Sequence, residues 1–198
     1  APAPVVIGAL GAGRMGRGIA IAFAYAGHEV HLIDIKLRSV EAASALEREA
    51  RAEIDSSLAS LSALGMFDDR LRPAILERIR FAARDQAPAA LAEVDVLFEG
   101  VPEVMALKRE AFQFAAPHLK ADAILASTTS TFLVSELAGA VAAPTRFLNA
   151  HWLNPAYIVP LVELSPHAAT APEVTARLKT LLEGIGKVPV VCAATPGF

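Results

Sequence analysis

A single cysteine, Cys192, occurs in the 198 residues. An internal disulfide and a thiolate metal cluster are therefore excluded, and a reducing cytoplasmic setting is expected. No apolar run reaches the roughly 18 residues needed to span a bilayer. The 54% hydrophobic share is instead raised by alanine, so no membrane partner is expected. Lys and Arg form no block and the net charge is −3, which leaves no global field for nucleic acid. The N-terminal run APAPVVIGALGAG has neither a basic stretch nor a cleavage pattern, so no signal peptide is expected. There is no internal repeat and no low-complexity linker. No nucleophile elbow and no His/Cys set with ligand spacing occurs, so no metal site is expected.

What is present is a globular α/β pattern of one large domain. VVIGAL (5–10) reads as a buried strand, 16–26 as a helix with Gly27 at its C-terminal end, and EVHLID (29–34) as a second strand. Strand, glycine turn, helix, strand is one βαβ unit, hence a parallel sheet with a right-handed crossover. The rhythm then changes. Val40, Ala43, Leu46, Ala50, Ile54, Leu58, Leu61 and Leu64 recur at steps of three and four, the stripe of a long helix. Gly65 ends it, and Asp68 or Asp69 can cap a second helix with Leu71, Ile75, Leu76 and Ile79 inward. About sixty residues (34 to 94) separate the second strand from VDVLFEGV (94–101), against about 30 for a whole βαβ unit. The excess reads as a helical-hairpin insertion over about 36–80. Further on, a helix is expected at 103–116, strands at 123–128, 146–153, 160–164 and 187–192, and helices at 134–138 and 172–182.

The motif GAGRMG (11–16) fits G-x-G-x-x-G between a strand and a helix, and Asp34 follows 18 residues after Gly16. Gly11 allows the tight turn, Gly13 leaves room for a pyrophosphate, and Gly16 lets helix and sheet approach. The N–H groups at the helix start would meet the phosphate. Asp34 can accept from both ribose hydroxyls, which favours NAD over NADP, although Lys36 and Arg38 nearby soften that preference. FEGVPE (98–103) leaves a strand end with two acids; Glu103 faces a ligand crevice or caps a helix. STTS (127–130) leaves another strand end, a composition that many loops share. HWLNPAYIVPLVE (151–163) places His151 and Glu163 on two strands joined by a short turn, within mutual reach. They are either a core histidine and a surface acid or a proton-handling pair, because a carboxylate fixes the imidazole tautomer that a general base needs.

Taken together, GAGRMGRGIA, the helical insertion, FEGVPE, STTS, HWLNPAYIVPLVE and TPGF resemble, in order and spacing, the NAD-binding domain of the L-3-hydroxyacyl-CoA dehydrogenase family. That family includes 3-hydroxybutyryl-CoA dehydrogenase and the gulonate 3-dehydrogenase/lambda-crystallin branch. The resemblance implies a Rossmann-type, doubly wound, mostly parallel sheet over 1–198, with NAD as cofactor. It implies His151 as the base for the substrate 3-hydroxyl, Glu163 as its orienting acid, and Ser130 as a hydrogen-bond partner of the substrate oxygen. Gly11, Gly13, Arg14, Met15, Gly16 and Asp34 would hold the dinucleotide, and Glu103, Lys108 and Asn154 its nicotinamide half. It also implies an all-helical domain beyond Phe198 through which the protein forms a homodimer and closes its crevice. The expected activity is that of an oxidoreductase acting on 3-hydroxybutyryl-CoA. Thr128, where the acyl-CoA enzymes usually have Asn, and Pro160, where they usually have Lys, lean toward the gulonate-type branch and a free hydroxy acid. A non-catalytic NAD-binding or structural protein is the reading from another class.

Overall fold

The computed structural model describes residues 5–195, so APAP at the start and the last three residues of TPGF lie outside the described residues. Four apolar residues, β1 (Ile7–Leu10), are fully buried and form the middle of the sheet. The chain turns at Gly11, runs through α1 (Arg14–Tyr25) and returns as β2 (Val30–Ile33), parallel to β1. Gly27, at φ +99°, follows Ala26, the C-cap of α1, the position where a helix end favours the left-handed region.

The long stripe forms α2 (Val40–Ala63), which starts where Ser39 Oγ accepts the Ala42 N–H. Ala50, Ile54, Leu58 and Leu61 are its buried face; Val40 and Leu64, at the two ends of the stripe, are exposed. A single 3-10 turn leads into α3 (Arg72–Glu77), which buries Ile75, whereas Leu71 is exposed. Ile79 is inward but not helical. It opens β3 (Ile79–Ala82), a strand that pairs with β2 and adds an edge to the sheet. The insertion is thus α2 and α3, and the tail of the span 36–80 is already sheet. An unexpected short helix, α4 (Ala87–Glu93), follows.

Thereafter come β4 (Val96–Glu99), α5 (Met105–Ala115), β5 (Ile124–Ser127), α6 (Val134–Ala138), β6 (Phe147–Trp152), β7 (Leu161–Pro166), α7 (Pro172–Gly184) and β8 (Val188–Val191). The eight strands run in the order β3-β2-β1-β4-β5-β6-β7-β8. All neighbours are parallel except β6 and β7. The order reverses between β1 and β4, the switch point where doubly wound sheets open a crevice for ligands. One face of the sheet packs against α1, α2, α3 and α7 around Phe23, Phe98 and Trp152, whose rings lie 5.6–6.0 Å apart. The other face packs against α4, α5 and α6. No helix among the described residues is long and apolar enough to cross a membrane.

Candidate active site

At the end of β1, Gly11 holds φ at +108°, a conformation costly for any residue with a Cβ. A Cβ on Gly16 would collide with the Gly11 carbonyl and press on Leu32, so the turn and the helix start need both glycines. A Cβ on Gly13 would meet nothing within 4 Å. The space there is open, and no side chain caps the start of α1. An uncapped twelve-residue helix start facing open space fits a bound pyrophosphate. Gly11, Gly13, Asp34 and Arg38 line a cavity of about 260 Å³ at this turn. Met15 lies beside Gly100, closing the turn against the end of β4. Arg14 and Asn154 line a separate cavity of about 330 Å³ between α1, α2 and the loop after β6.

Asp34 is buried and its Oδ2 accepts from Arg38 Nε at 2.6 Å. Arg17, which sequence reasoning passed over, ties the turn to the insertion. Its Nε donates to the Ala12 carbonyl at 2.9 Å, and its Nη groups reach Glu49 and Glu53 on α2.

Four polar residues align across the ends of adjacent strands: Glu99 on β4, Ser127 on β5, Asn149 on β6 and Ser165 on β7. All four are fully buried. Lys108 Nζ donates to Glu99 Oε1 at 2.9 Å and Ser127 Oγ to Glu99 Oε2 at 2.6 Å. Burial pushes the Glu99 carboxyl up, against the pull of Lys108, Ser127 and the Val101 N–H. Lys108 is therefore not at the crevice surface. It lies beneath it, with its Nζ 3.8 Å from Glu103. Glu103 does not cap α5, whose N-cap is Val104. It accepts from Thr129 Oγ1 and the Ser130 N–H, each at 2.9 Å, and from Thr131 Oγ1 at 3.3 Å. FEGVPE and STTS thus form one hydrogen-bonded unit, on which the Ser130 residue is exposed.

His151 and Glu163 face each other across the antiparallel β6–β7 pair, and His151 Nδ1 lies 2.7 Å from Glu163 Oε2. The strand register creates this contact, because directly opposed residues in such a ladder project on the same side. A proton on Nδ1 would be donated to the carboxylate, and Nε2 would then be the accepting nitrogen of the ring. Asn149, two residues back on the same face, donates Nδ2–H to the Phe132 carbonyl at 3.0 Å and so braces the loop that carries Ser130. The loop bearing Asn154 is held from below by Lys187, whose Nζ donates to the carbonyls of Ala156 at 2.6 Å and Val159 at 2.8 Å. Burial lowers the pKa of this lysine. Cys192 lies close enough for Glu163 to act on its thiol: burial first, then that charge, push it up.

Glu99 was visible in the sequence as one of two acids at a strand end. Lys187 and Asn149 carried no sequence signal, since their roles come from backbone carbonyls that only the fold brings near.

The glycine turn and Asp34 stand on one side of the switch point and the His151–Glu163 pair on the other. That layout defines a dinucleotide-binding domain of the dehydrogenase class. More narrowly, the chain belongs to the 3-hydroxyacyl-CoA dehydrogenase family: residues 6–195 match the model of its NAD binding domain. A 5-formyl-3-hydroxy-2-methylpyridine 4-carboxylate 5-dehydrogenase of Mesorhizobium japonicum is 32% identical over 193 residues, covering 97% of this chain and 59% of that protein. A protein of Deinococcus radiodurans named as a probable 3-hydroxybutyryl-CoA dehydrogenase is 33% identical over 192 residues, covering 96% and 65%. The crystal structure of (S)-3-hydroxybutyryl-CoA dehydrogenase from Ralstonia eutropha superposes with a TM-score of 0.89 at 28% identity, covering 99% of this chain and 66% of that one. The chain spans 59% to 65% of the length of these curated relatives.

Proposed function

We propose that the protein oxidises the 3-hydroxyl of a 3-hydroxyacyl-CoA of the 3-hydroxybutyryl type, or reduces the corresponding ketone, using NAD. The observation that carries this reading is the 2.7 Å bond between His151 Nδ1 and Glu163 Oε2 beside the loop that carries Ser130. NAD supplies a two-electron hydride acceptor. As the C3 hydrogen leaves with its electron pair, His151 takes the hydroxyl proton at Nε2, and Glu163 holds the ring and stabilises the imidazolium. Ser130 hydrogen-bonds the substrate oxygen. Gly11, Gly13, Arg14, Met15, Gly16 and Asp34 hold the adenosine and pyrophosphate, and Glu103 and Asn154 the nicotinamide half. Lys108 acts on that half through Glu103, as a positioning residue rather than a contact.

A second reading keeps the chemistry and changes the substrate to a free hydroxy acid. Thr128 and Pro160 favour it, as does the relative whose name gives a carboxylate as its substrate. A purely structural NAD-binding role fits less well with His151, Glu163 and Ser130 all retained. We further place the protein in the cytoplasm, acting as a homodimer through a helical domain that follows this one. The 198 residues alone should then bind NAD but turn over poorly.

The test is an NAD-linked activity screen of the full-length protein with 3-hydroxybutyryl-CoA, L-gulonate and 3-hydroxybutyrate. His151→Ala should lower kcat by about 10²–10⁴ while NAD affinity stays within about threefold, roughly 0.6 kcal/mol. An unchanged rate removes the mechanism.

A further inference from the structure

Lys187, in the turn between α7 and β8, is 8% exposed, and no carboxylate pairs with it among the described residues. An ammonium taken out of water with no acid opposite it works against the fold. Local penalties of this kind collect where a site needs them. The Lys187 Nζ donates to the carbonyls of Ala156 and Val159 and stands 5.5 Å from the centre of the Trp152 ring. These partners belong to one stretch of chain. Trp152 follows His151 at the end of β6, and the loop 153–160 runs on to β7, which carries Glu163.

The same loop presents Asn154. Its side chain is exposed, lines the cavity of about 330 Å³ together with Arg14 and Ser57, and makes no hydrogen bond among the described residues. With no protein partner of its own, the carboxamide stands where the backbone puts it. Three contacts fix that backbone. Ala156 packs on Gly18 of α1, where an added Cβ would come within 3.0 Å of the alanine methyl. Tyr157 Oη lies 3.4 Å from Ser57 Oγ on α2, a long bond between neutral groups. Lys187 supplies the third, with two charge-assisted bonds at 2.6 and 2.8 Å, each roughly twice as strong as a neutral one. It is the dominant polar anchor of the loop.

We infer that Lys187 is a positioning residue for the reactive end of the cofactor: by drawing the loop 153–160 onto the α7–β8 turn, it sets Asn154 against the nicotinamide half. The ammonium itself does not touch the dinucleotide. The inference rests on the placement of that half at Asn154 proposed above.

Titration calorimetry of the full-length protein with NADH and with ADP-ribose, which lacks the nicotinamide, separates this role from a structural one. Lys187→Met should weaken NADH about fivefold to tenfold and leave ADP-ribose within about twofold. Its kcat should fall about tenfold or more, since the ring is no longer held in line for hydride transfer. Asn154→Ala should weaken NADH and spare ADP-ribose in the same way. The double variant should lose little beyond Asn154→Ala alone, because both changes remove one contact. Where Lys187→Met does not fold, Lys187→Gln replaces it. Gln keeps N–H donors on a side chain one atom shorter, and a smaller loss confined to NADH is expected. An equal loss of both ligands, an unchanged NADH affinity and kcat, or losses that add in full in the double variant overturn the inference. Asn154→Ala with unchanged NADH affinity removes the nicotinamide placement, and the role of Lys187 with it.

Discussion

Lys108 on α5 and Glu99 at the end of β4 form an ion pair with both side chains out of solvent, 1% and 0% exposed, at an Nζ–Oε1 distance of 2.9 Å. The pair lies under Glu103 and the loop 127–132, so it supports the unit on which Ser130 stands. A buried pair of this kind adds little net stability, but loss of one partner leaves an uncompensated charge. Lys108→Met should therefore cost about 3–5 kcal/mol, roughly a 10 °C fall in the melting temperature of a domain this size. Glu99→Gln combined with Lys108→Met should recover a large part of that loss. A Lys108→Met protein that melts with its parent would show that the pair carries no such weight.

The glycines of the turn should separate into two kinds. A methyl at Gly13 meets nothing within 4 Å, so Gly13→Ala should change stability by no more than about 0.5 kcal/mol. The same methyl would occupy the approach of the pyrophosphate, and NAD should bind about tenfold or more weakly, a loss of about 1.4 kcal/mol. A methyl at Gly16 collides with the Gly11 carbonyl, so Gly16→Ala should lose both stability and cofactor. Thermal melts and NAD titrations of the two variants side by side give the comparison. Unimpaired NAD binding by Gly13→Ala would place the pyrophosphate elsewhere.

The first βαβ unit was legible because a glycine turn, an apolar strand and an acid at fixed offset are local. The nearness of His151 and Glu163 was legible because they stand on consecutive strands, whereas the register that opposes them is set by the fold across the loop 153–160. Edge strand β3 was hidden because Arg80 is exposed and only Ile79 and Ala82 of its four residues are buried, too little for a strand pattern to show. Short, alanine-rich α4 gave too few turns for periodicity. The depth of Lys108 was hidden for another reason. A lysine on a helix ordinarily reads as solvent-facing, and only the position of α5 over Glu99 brings its ammonium inside. Arg17, one residue past the glycine motif, gave no signal because its partners Glu49 and Glu53 stand on α2, distant in sequence.

Acid should weaken the fold in part through Asp95. This residue ties the start of β1 to β4, accepting the Val6 N–H at 2.8 Å and Lys120 Nζ at 2.8 Å. Burial raises its pKa, but the Lys120 hydrogen bond, the Val6 N–H and the charges of Lys120 and Arg177 outweigh it and hold the carboxyl below its usual range. A depressed folded pKa means that the stabilisation is fully present above the unfolded value of about 3.9 and is lost as pH falls through the folded one. Asp95→Asn should therefore melt below the parent at pH 7, and the difference should shrink steadily below about pH 3.9. A gap that stays constant down to pH 2.5 would mean the carboxylate charge contributes nothing.

Asn149 and Ser165 face each other two residues along the ladder from the His151–Glu163 pair, yet they should respond oppositely to substitution. Both are fully buried, and neither Asn149 Oδ1 nor Ser165 Oγ has a hydrogen-bond partner among the described residues. Removing an unsatisfied buried hydroxyl relieves a desolvation cost, so Ser165→Ala should hold or raise stability by up to about 1 kcal/mol. Asn149 also donates to the Phe132 carbonyl at 3.0 Å. Asn149→Leu strands that carbonyl and should cost about 1–3 kcal/mol. Because Phe132 closes the loop that carries Ser130, the same variant should raise the KM for the hydroxy substrate while the NAD affinity is held. Denaturant melts and steady-state kinetics measure the two effects. A Ser165→Ala protein less stable than its parent would show that the hydroxyl is satisfied in solution, and an Asn149→Leu protein with normal KM would free the loop from this brace.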